Sequence, residues 1–205
     1  MAKSSKAWLR RHVTDPYVRK AREQGYRSRA AFKLLQLNDK EKLLRRGFTV
    51  VDLGAAPGGW SQVAAQEVNP GGRVVAIDIL PIAPISGVTV LNADFREQSL
   101  IEVLKGARAD VVLSDLSPNL SGITNVDQAR LLELALGALD FCGKALKPDG
   151  VFVVKAFQGE AFDELVYSLK SYFSKVRMVK PTASRGESNE TYVVARGLLC
   201  SAKTA

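Results

Sequence analysis

Five apolar runs in this sequence end on, or lead straight into, residues that can bind or catalyse. "TVVDL" (49–53) carries Asp52 into the small-residue turn "GAAPGG" (54–59), "RVVAID" stops at Asp78, and "VTVLNAD" stops at Asp94. "DVVLSD" stops at Asp115 and "VFVVK" at Lys155. A turn of small residues lets a ligand approach the backbone itself. Asp78 falls 20 positions after Gly58, where a carboxylate can accept from both hydroxyls of a ribose. Asp94 is placed to accept from an adenine amino group. The ligand so described is an adenosine-like nucleoside; a tight turn that holds nothing is the plain alternative.

A dinucleotide fits less well. The turn lacks the G-x-G-x-x-G spacing, and Pro57 removes a backbone donor that a pyrophosphate would use. No G-x-x-x-x-G-K-[ST] loop for a nucleoside triphosphate is present. S-adenosylmethionine is a nucleoside without phosphate and suits the pattern. It brings its own leaving group, so the protein has chiefly to orient and deprotonate an acceptor. Methylation of a base amino group usually shows Asn/Asp-Pro-Pro-aromatic after the fourth strand; "LSDLSPN" has Leu116-Ser117 in place of the first proline position and Asn119 in place of the aromatic. Carbon methylation of cytosine needs a cysteine nucleophile near this loop, and none stands there. A hydroxyl acceptor remains. Lys155 closes four apolar residues although burying an ammonium is costly. It is either a lysine snorkelling from a strand end or one kept neutral often enough to take a hydroxyl proton.

These residues need a scaffold that brings strand ends together. The pattern predicts strands at Thr49–Leu53, Arg73–Ile79, Val88–Asn92, Asp110–Ser114 and Val151–Lys155, with two more near Lys175–Val179 and Thr191–Ala195. Helical spacing is clearest over Asp127–Leu146, which "KPDG" terminates, and recurs over Glu160–Tyr172 and Ser28–Leu44, with Ser28 as N-cap. Alternation of this kind predicts an α/β fold, a mostly parallel sheet with helices on both faces. Ligands then sit outside the carboxyl ends of the strands, where the five runs end.

The chain has 205 residues and a net charge of +8, enough for one domain with a substantial core. Residues 1–46 hold 14 Lys/Arg against 4 Asp/Glu, while the remainder is nearly balanced. The division expected is a basic arm, 1–27, on a catalytic domain, 28–205. Such asymmetry points to a polyanion, most often nucleic acid, with a solubilising tail as the bland reading. Within the arm Trp8 and Tyr17 could stack on unpaired bases. Cys142 and Cys200 show neither disulfide nor metal spacing, and Cys142 reads as a core residue. No run approaches the ~20 apolar residues of a membrane span. No secretory signal is seen, so a cytoplasmic place is expected, with a mitochondrial leader as the alternative.

"RSRAAFKL", "DLGAAPGGWSQ", "SDLSPN", "FVVKAFQGE" and "SRGESNETYVVA", in this order, resemble the FtsJ/RrmJ-type ribosomal RNA ribose 2′-O-methyltransferases over residues 8–196. The resemblance implies a Rossmann-like methyltransferase fold with a seven-stranded sheet, and S-adenosylmethionine as cofactor. It also implies a Lys-Asp-Lys-Glu tetrad, matched by Lys33, Asp115, Lys155 and Glu190, with Lys155 as the base. The cofactor positions implied are Gly58, Trp60, Asp78, Asp94 and Asp115; no metal is implied. Members this short with a basic arm modify a uridine in the A-loop of large-subunit rRNA, so the partner expected is rRNA, free or in the large subunit or its precursor. Relatives acting on tRNA or mRNA caps are the alternatives, and a monomer is expected.

Overall fold

The computed structural model describes residues 14–97, 104–118, 121–186 and 188–199. The strands are β1 Thr49–Leu53, β2 Arg73–Asp78, β3 Val88–Asn92, β4 Ala109–Ser114, β5 Leu146–Phe157, β6 Phe173–Val179 and β7 Glu190–Leu198. The helices are α1 Pro16–Glu23, α2 Ala31–Glu41, α3 Gly59–Val68, α4 Thr124–Ala145 and α5 Glu160–Tyr172. One sheet of order β3-β2-β1-β4-β5-β7-β6 runs through the domain. β3, β2, β1, β4 and β5 pair parallel, and only β7 runs against its neighbours.

Each strand divides its side chains between two cores by simple alternation. Val51, Leu53, Phe152, Val154, Val193 and Ala195 face α4 and α5. Val50, Val151, Val153, Tyr192 and Val194 face α2 and α3, among Leu34, Leu37, Trp60 and Val63. Both faces being covered explains why the strands read as continuous apolar runs. It also fixes where the polar strand residues go. Lys155, Glu190 and Tyr192 share the face under α2 and α3, at the end of the sheet where the parallel strands finish.

Most bounds shift by a few residues, as with Thr124–Ala145 against the expected Asp127–Leu146 and Glu190–Leu198 against Thr191–Ala195; at α2 and β5 the shift has a visible cause. Ser28 does not cap α2: the helix begins at Ala31 after a turn in which Ala31 N–H donates to Ser28 O, and its N-cap position, Ala30, uses no side chain. Ser28 Oγ is instead buried against Gly59, where any side chain would collide with it. α2 ends three residues short of Leu44, at a left-handed Lys42 whose N–H returns to Asn38 O. The "KPDG" segment lies inside β5, not before it. β4 pairs Ala109 with Leu146 and then Val111 with Val151, so residues 147–150 bulge out of the ladder.

Residues 14–27 are packed on the domain. Asp15 caps α1 by accepting from Tyr17 N–H, Pro16 occupies the first turn, and Val18 and Ala21 are buried. Tyr17 and Tyr26 meet Phe32 of α2 at centroid distances of 5.5 and 5.6 Å. Residues 1–13, with Trp8, and also Asn119 and Cys200, lie outside the described residues. Cys142 is buried among the α4 core residues. Among the described residues no helix is long and apolar enough to cross a membrane.

Candidate active site

β1 delivers the chain into the turn at 54–59. Gly54 sits at φ +72°, and a Cβ there would lie 2.5 Å from Leu116 Cδ2, so no other residue lets the turn lie against the β4 loop. Gly54 and Ala55 N–H both donate to Ile77 O, Ala56 N–H donates to Asp78 Oδ2, and Gly58 N–H donates to Ala55 O. Pro57 has none. With these four N–H groups engaged inside the protein, the turn offers no row of donors for a pyrophosphate.

A cleft of about 430 Å³ opens beside this turn, lined by Gly54, Ala56, Asp78, Ile79, Leu80 and Asp115 together with residues of the β4 loop and α4. Asp78 is fixed between two loops, Oδ2 accepting from Ala56 N–H and Oδ1 from Leu80 N–H, both at 2.8 Å. Each oxygen keeps lone-pair capacity for a ribose hydroxyl. Ile79 and Leu80 are 70% and 59% exposed and form an apolar wall of the cleft. Asp94 lines an adjoining recess with Gly54, Asp78 and Leu116. The Arg96 guanidinium holds Asp94 below the usual carboxylate range and reaches Glu133 at 3.5 Å, so Asp94 is an ionised acceptor. Gly58 and Trp60 are not among the cleft-lining residues. Gly58 closes the turn at φ +107°, and Trp60 is turned into the core, donating to Ala30 O and meeting Tyr192 at 5.5 Å.

Lys33, Asp115, Lys155 and Glu190 come together from α2, the β4 loop, β5 and β7. Lys33 Nζ lies 2.7 Å from Glu190 Oε1 and 2.9 Å from Oε2. Lys155 Nζ donates to Asp115 O at 2.8 Å and stands 3.2 Å from Asp115 Oδ1, its side chain only 7% exposed. Tyr192 joins the two pairs. Its hydroxyl accepts from Lys33 Nζ at 3.1 Å and donates to Asp115 Oδ1 at 2.8 Å. Burial, reinforced by the negative charges of Asp115 and Glu190, pushes the Tyr192 phenol well above its ordinary value, so it keeps its proton and the bridge. Ser184 completes the array by donating to Glu190 Oε1 at 2.8 Å. Asp115 is shared, lining the cleft with one face and holding Lys155 with the other.

Tyr192 was legible in principle: in "NETYVVA" it lies two residues after Glu190, on the same face of a strand.

Residues 26–198 match the family described as FtsJ-like methyltransferase. The chain belongs to the FtsJ-like methyltransferase family. Two curated relatives, both named Ribosomal RNA large subunit methyltransferase E, come from Marinobacter nauticus and Alcanivorax borkumensis. Each is 52% identical to this methyltransferase, with 96% of this chain and 97% of the relative covered. A solved structure from Plasmodium falciparum, titled as a ribosomal RNA methyltransferase, is similar at TM-score 0.75 and 29% identity, covering 85% of this chain and 99% of that one. A Streptococcus mutans protein solved in complex with SAH shares the fold at TM-score 0.53 and 14% identity, over 83% and 96% of the two chains. The Rossmann-like methyltransferase sheet expected from the sequence is thus the fold observed.

One buried acid of the methyltransferase lies beneath the site. Asp52 accepts from Ser61 Oγ at 2.6 Å, while its other oxygen has no partner. Burial, with Asp115 and Asp78 nearby, pushes its carboxyl up to about 7. The unfolded chain sheds this proton near 4 and the folded chain keeps it to about 7, so this group's contribution to stability falls as pH rises across that window. The slope is at most roughly 1.4 kcal/mol per pH unit. Asp52→Asn should flatten it, which urea denaturation at pH 5 and pH 8 would show. Equal pH dependence in both proteins would mean that Asp52 is ionised throughout.

Proposed function

We propose that this methyltransferase uses S-adenosylmethionine to methylate a ribose 2′-hydroxyl of RNA, and that its target is a uridine in the A-loop of large-subunit rRNA. The observation that carries this reading is the hydrogen-bonded array Lys33–Glu190–Tyr192–Asp115–Lys155 beside a nucleoside-sized cleft. The names of the curated relatives support rRNA as the substrate. The array itself contains no nucleophilic cysteine, which suits transfer to an oxygen.

The cleft fits the cofactor by its own chemistry. Asp78 would accept from the ribose hydroxyls, Asp94 from the adenine amino group, and Ile79 and Leu80 would cover the ring; Gly58 and Trp60 shape the turn from behind. When bound, the cofactor supplies an electrophilic methyl group on a sulfonium. The protein's part is to activate the oxygen nucleophile, the 2′-hydroxyl of the RNA, which is a weak acid. Lys155 Nζ, oriented by two contacts to Asp115, acts as the neutral amine and becomes the ammonium as it takes the proton from the attacking 2′-hydroxyl. Lys33, held by Glu190 and Tyr192, provides positive charge toward the oxygen as it becomes more negative. Tyr192 and Ser184 keep both acids in place, so the two lysines are aimed before substrate arrives. We read the protein as a cytoplasmic monomer that acts on free rRNA or on the large subunit or its precursor.

Asp78→Ala should weaken binding of S-adenosylhomocysteine by about 1–3 kcal/mol, since two ligand donors lose their acceptor. Calorimetry on the folded variant measures it, and unchanged affinity would take Asp78 out of the site. The activity itself is tested on the product. A 2′-O-methyl group removes the internal nucleophile of RNA cleavage, so the modified nucleotide should resist alkaline hydrolysis. We expect one protected position in large-subunit rRNA treated with enzyme and cofactor, mapped by mass spectrometry to an A-loop uridine. A methyl group found on a base would overturn the ribose assignment.

A further inference from the structure

"RSRAAFKL" contributes Lys33 to the site, but Arg27 at its start has no part in the array described above. Its half-buried guanidinium is turned back onto the protein. NH1 donates to Ala83 O at 2.6 Å and to Pro57 O at 3.1 Å, and NH2 donates to Pro84 O at 2.6 Å. Pro57 belongs to the turn after β1; Ala83 and Pro84 belong to the loop after β2. Those two segments supply Gly54, Ala56, Ile79 and Leu80 to the cleft. Asp78 ties the same segments together from the cleft side, through Ala56 and Leu80 N–H. Arg27 ties them from behind.

The backbone of Arg27 is fixed as well. Its N–H donates to Gln62 Oε1 at 2.8 Å, Gln62 Nε2 donates back to Gly25 O, and Gln62 N–H donates to Gly58 O at the start of α3. Gly58 makes room for the guanidinium: a Cβ there would lie 3.2 Å from Arg27 NH1 and 2.5 Å from Ile85 Cδ1. A planar fork can reach carbonyls on two loops at once, which a single ammonium on a flexible stem cannot do with the same order.

We propose that Arg27 is a positioning residue for the cofactor cleft, a clamp that sets the spacing between the glycine turn and the loop after β2. This rests on the reading of the cleft as the cofactor site. Although Arg27 stands at the end of the basic arm, three of its five guanidinium N–H donors go to protein carbonyls, which sets it apart from a cation held out for phosphate.

The test measures two quantities on wild type, Arg27→Lys and Arg27→Ala. S-adenosylhomocysteine affinity is read by calorimetry without RNA, well below the melting temperature of each variant. The salt dependence of binding is read on an rRNA fragment. Arg27→Lys should raise the dissociation constant for S-adenosylhomocysteine about tenfold and raise KM for S-adenosylmethionine. It should leave kcat near wild type and the salt slope unchanged; Arg27→Ala should lose at least as much cofactor affinity. Unchanged cofactor affinity in Arg27→Lys overturns the proposal. This holds whether the variant is merely less stable or instead has a salt slope shallower by nearly one unit, the mark of a lost phosphate contact. A wild-type protein that does not bind S-adenosylhomocysteine would overturn the reading of the cleft and this proposal with it, a result distinct from failure of the variant alone.

Discussion

Lys155→Ala is expected to lower methyl transfer by about 10²–10⁴, the usual cost of losing a general base, while affinity for S-adenosylhomocysteine stays close to wild type. The separation follows from the geometry: Lys155 touches Asp115 and does not line the main cleft, whereas Asp78 and Asp115 do. Removing the buried Lys155 side chain also leaves the Asp115 carboxylate with Tyr192 as its remaining partner on Oδ1, and breaking a buried pair can cost about 3–5 kcal/mol. Lys155→Arg separates the two effects. It keeps the positive charge beside Asp115, yet a guanidinium does not give up its proton near neutrality. We expect a folded, cofactor-binding and catalytically dead Lys155→Arg protein in single-turnover assays. A fully active one would show that the charge alone is needed and would end the general-base role.

The basic arm provides the second large effect. Residues 1–13 carry Lys3, Lys6, Arg10 and Arg11, and α1 presents Arg19, Lys20 and Arg22 on its exposed side. If the arm grips RNA phosphates as proposed, deleting 1–13 removes four cations but leaves α1, Arg27 and the cleft intact. Each phosphate contact contributes about 0.7–0.9 to the slope of log affinity against log salt. The slope should therefore become shallower by about three units, and RNA affinity at physiological salt should fall by one to two orders of magnitude. Cofactor affinity should not change. Equal slopes for the deleted and full-length proteins would assign the RNA footprint elsewhere, with Lys170, Lys175, Arg177, Lys180 and Arg185 the next surface to test.

β1, β2, β4 and β5 were legible because burial on both faces leaves them mostly apolar, and Asp78, Asp115 and Lys155 stand at or within two residues of the ends of β2, β4 and β5. α3 was not. Trp60, Ser61, Val63, Ala64, Ala65 and Val68 are all buried, so "GWSQVAAQEV" keeps only a narrow polar stripe at Gln62, Gln66 and Glu67 and its small residues give a weak amphipathic signal. α1 was hidden for the opposite reason: its Asp15 cap and Pro16 were present, but Arg19, Lys20, Arg22 and Glu23 made the segment read as arm. Ser28 has the right chemistry for a cap and the wrong place, because the chain makes a turn before α2. In the site, the acids and lysines at strand ends could be read from position. Spacing alone puts Tyr192 on the face of Glu190, but that its hydroxyl meets Asp115 on the β4 loop, and that Arg27 meets two other loops, depends on the tertiary fold.

Lys155 faces Tyr192, and Phe157 faces Glu190, across the β5–β7 ladder. Everything from Gln158 to Asn189, including α5 and β6, is one excursion that leaves and returns at the Phe157–Glu190 rung. Lengthening or shortening the α5–β6 junction would slide β6 along β7 without moving Lys155 from Tyr192, so lineages can remodel this outer edge while the chemistry stays intact. A single-residue deletion inside β5 or β7 has the opposite outcome. It reverses the alternation and drives Lys155 or Glu190 into the apolar layer beneath α4 and α5, where Phe152, Val154 and Val193 now sit. Evolutionary freedom and evolutionary lethality are thus separated by a few residues along the same chain.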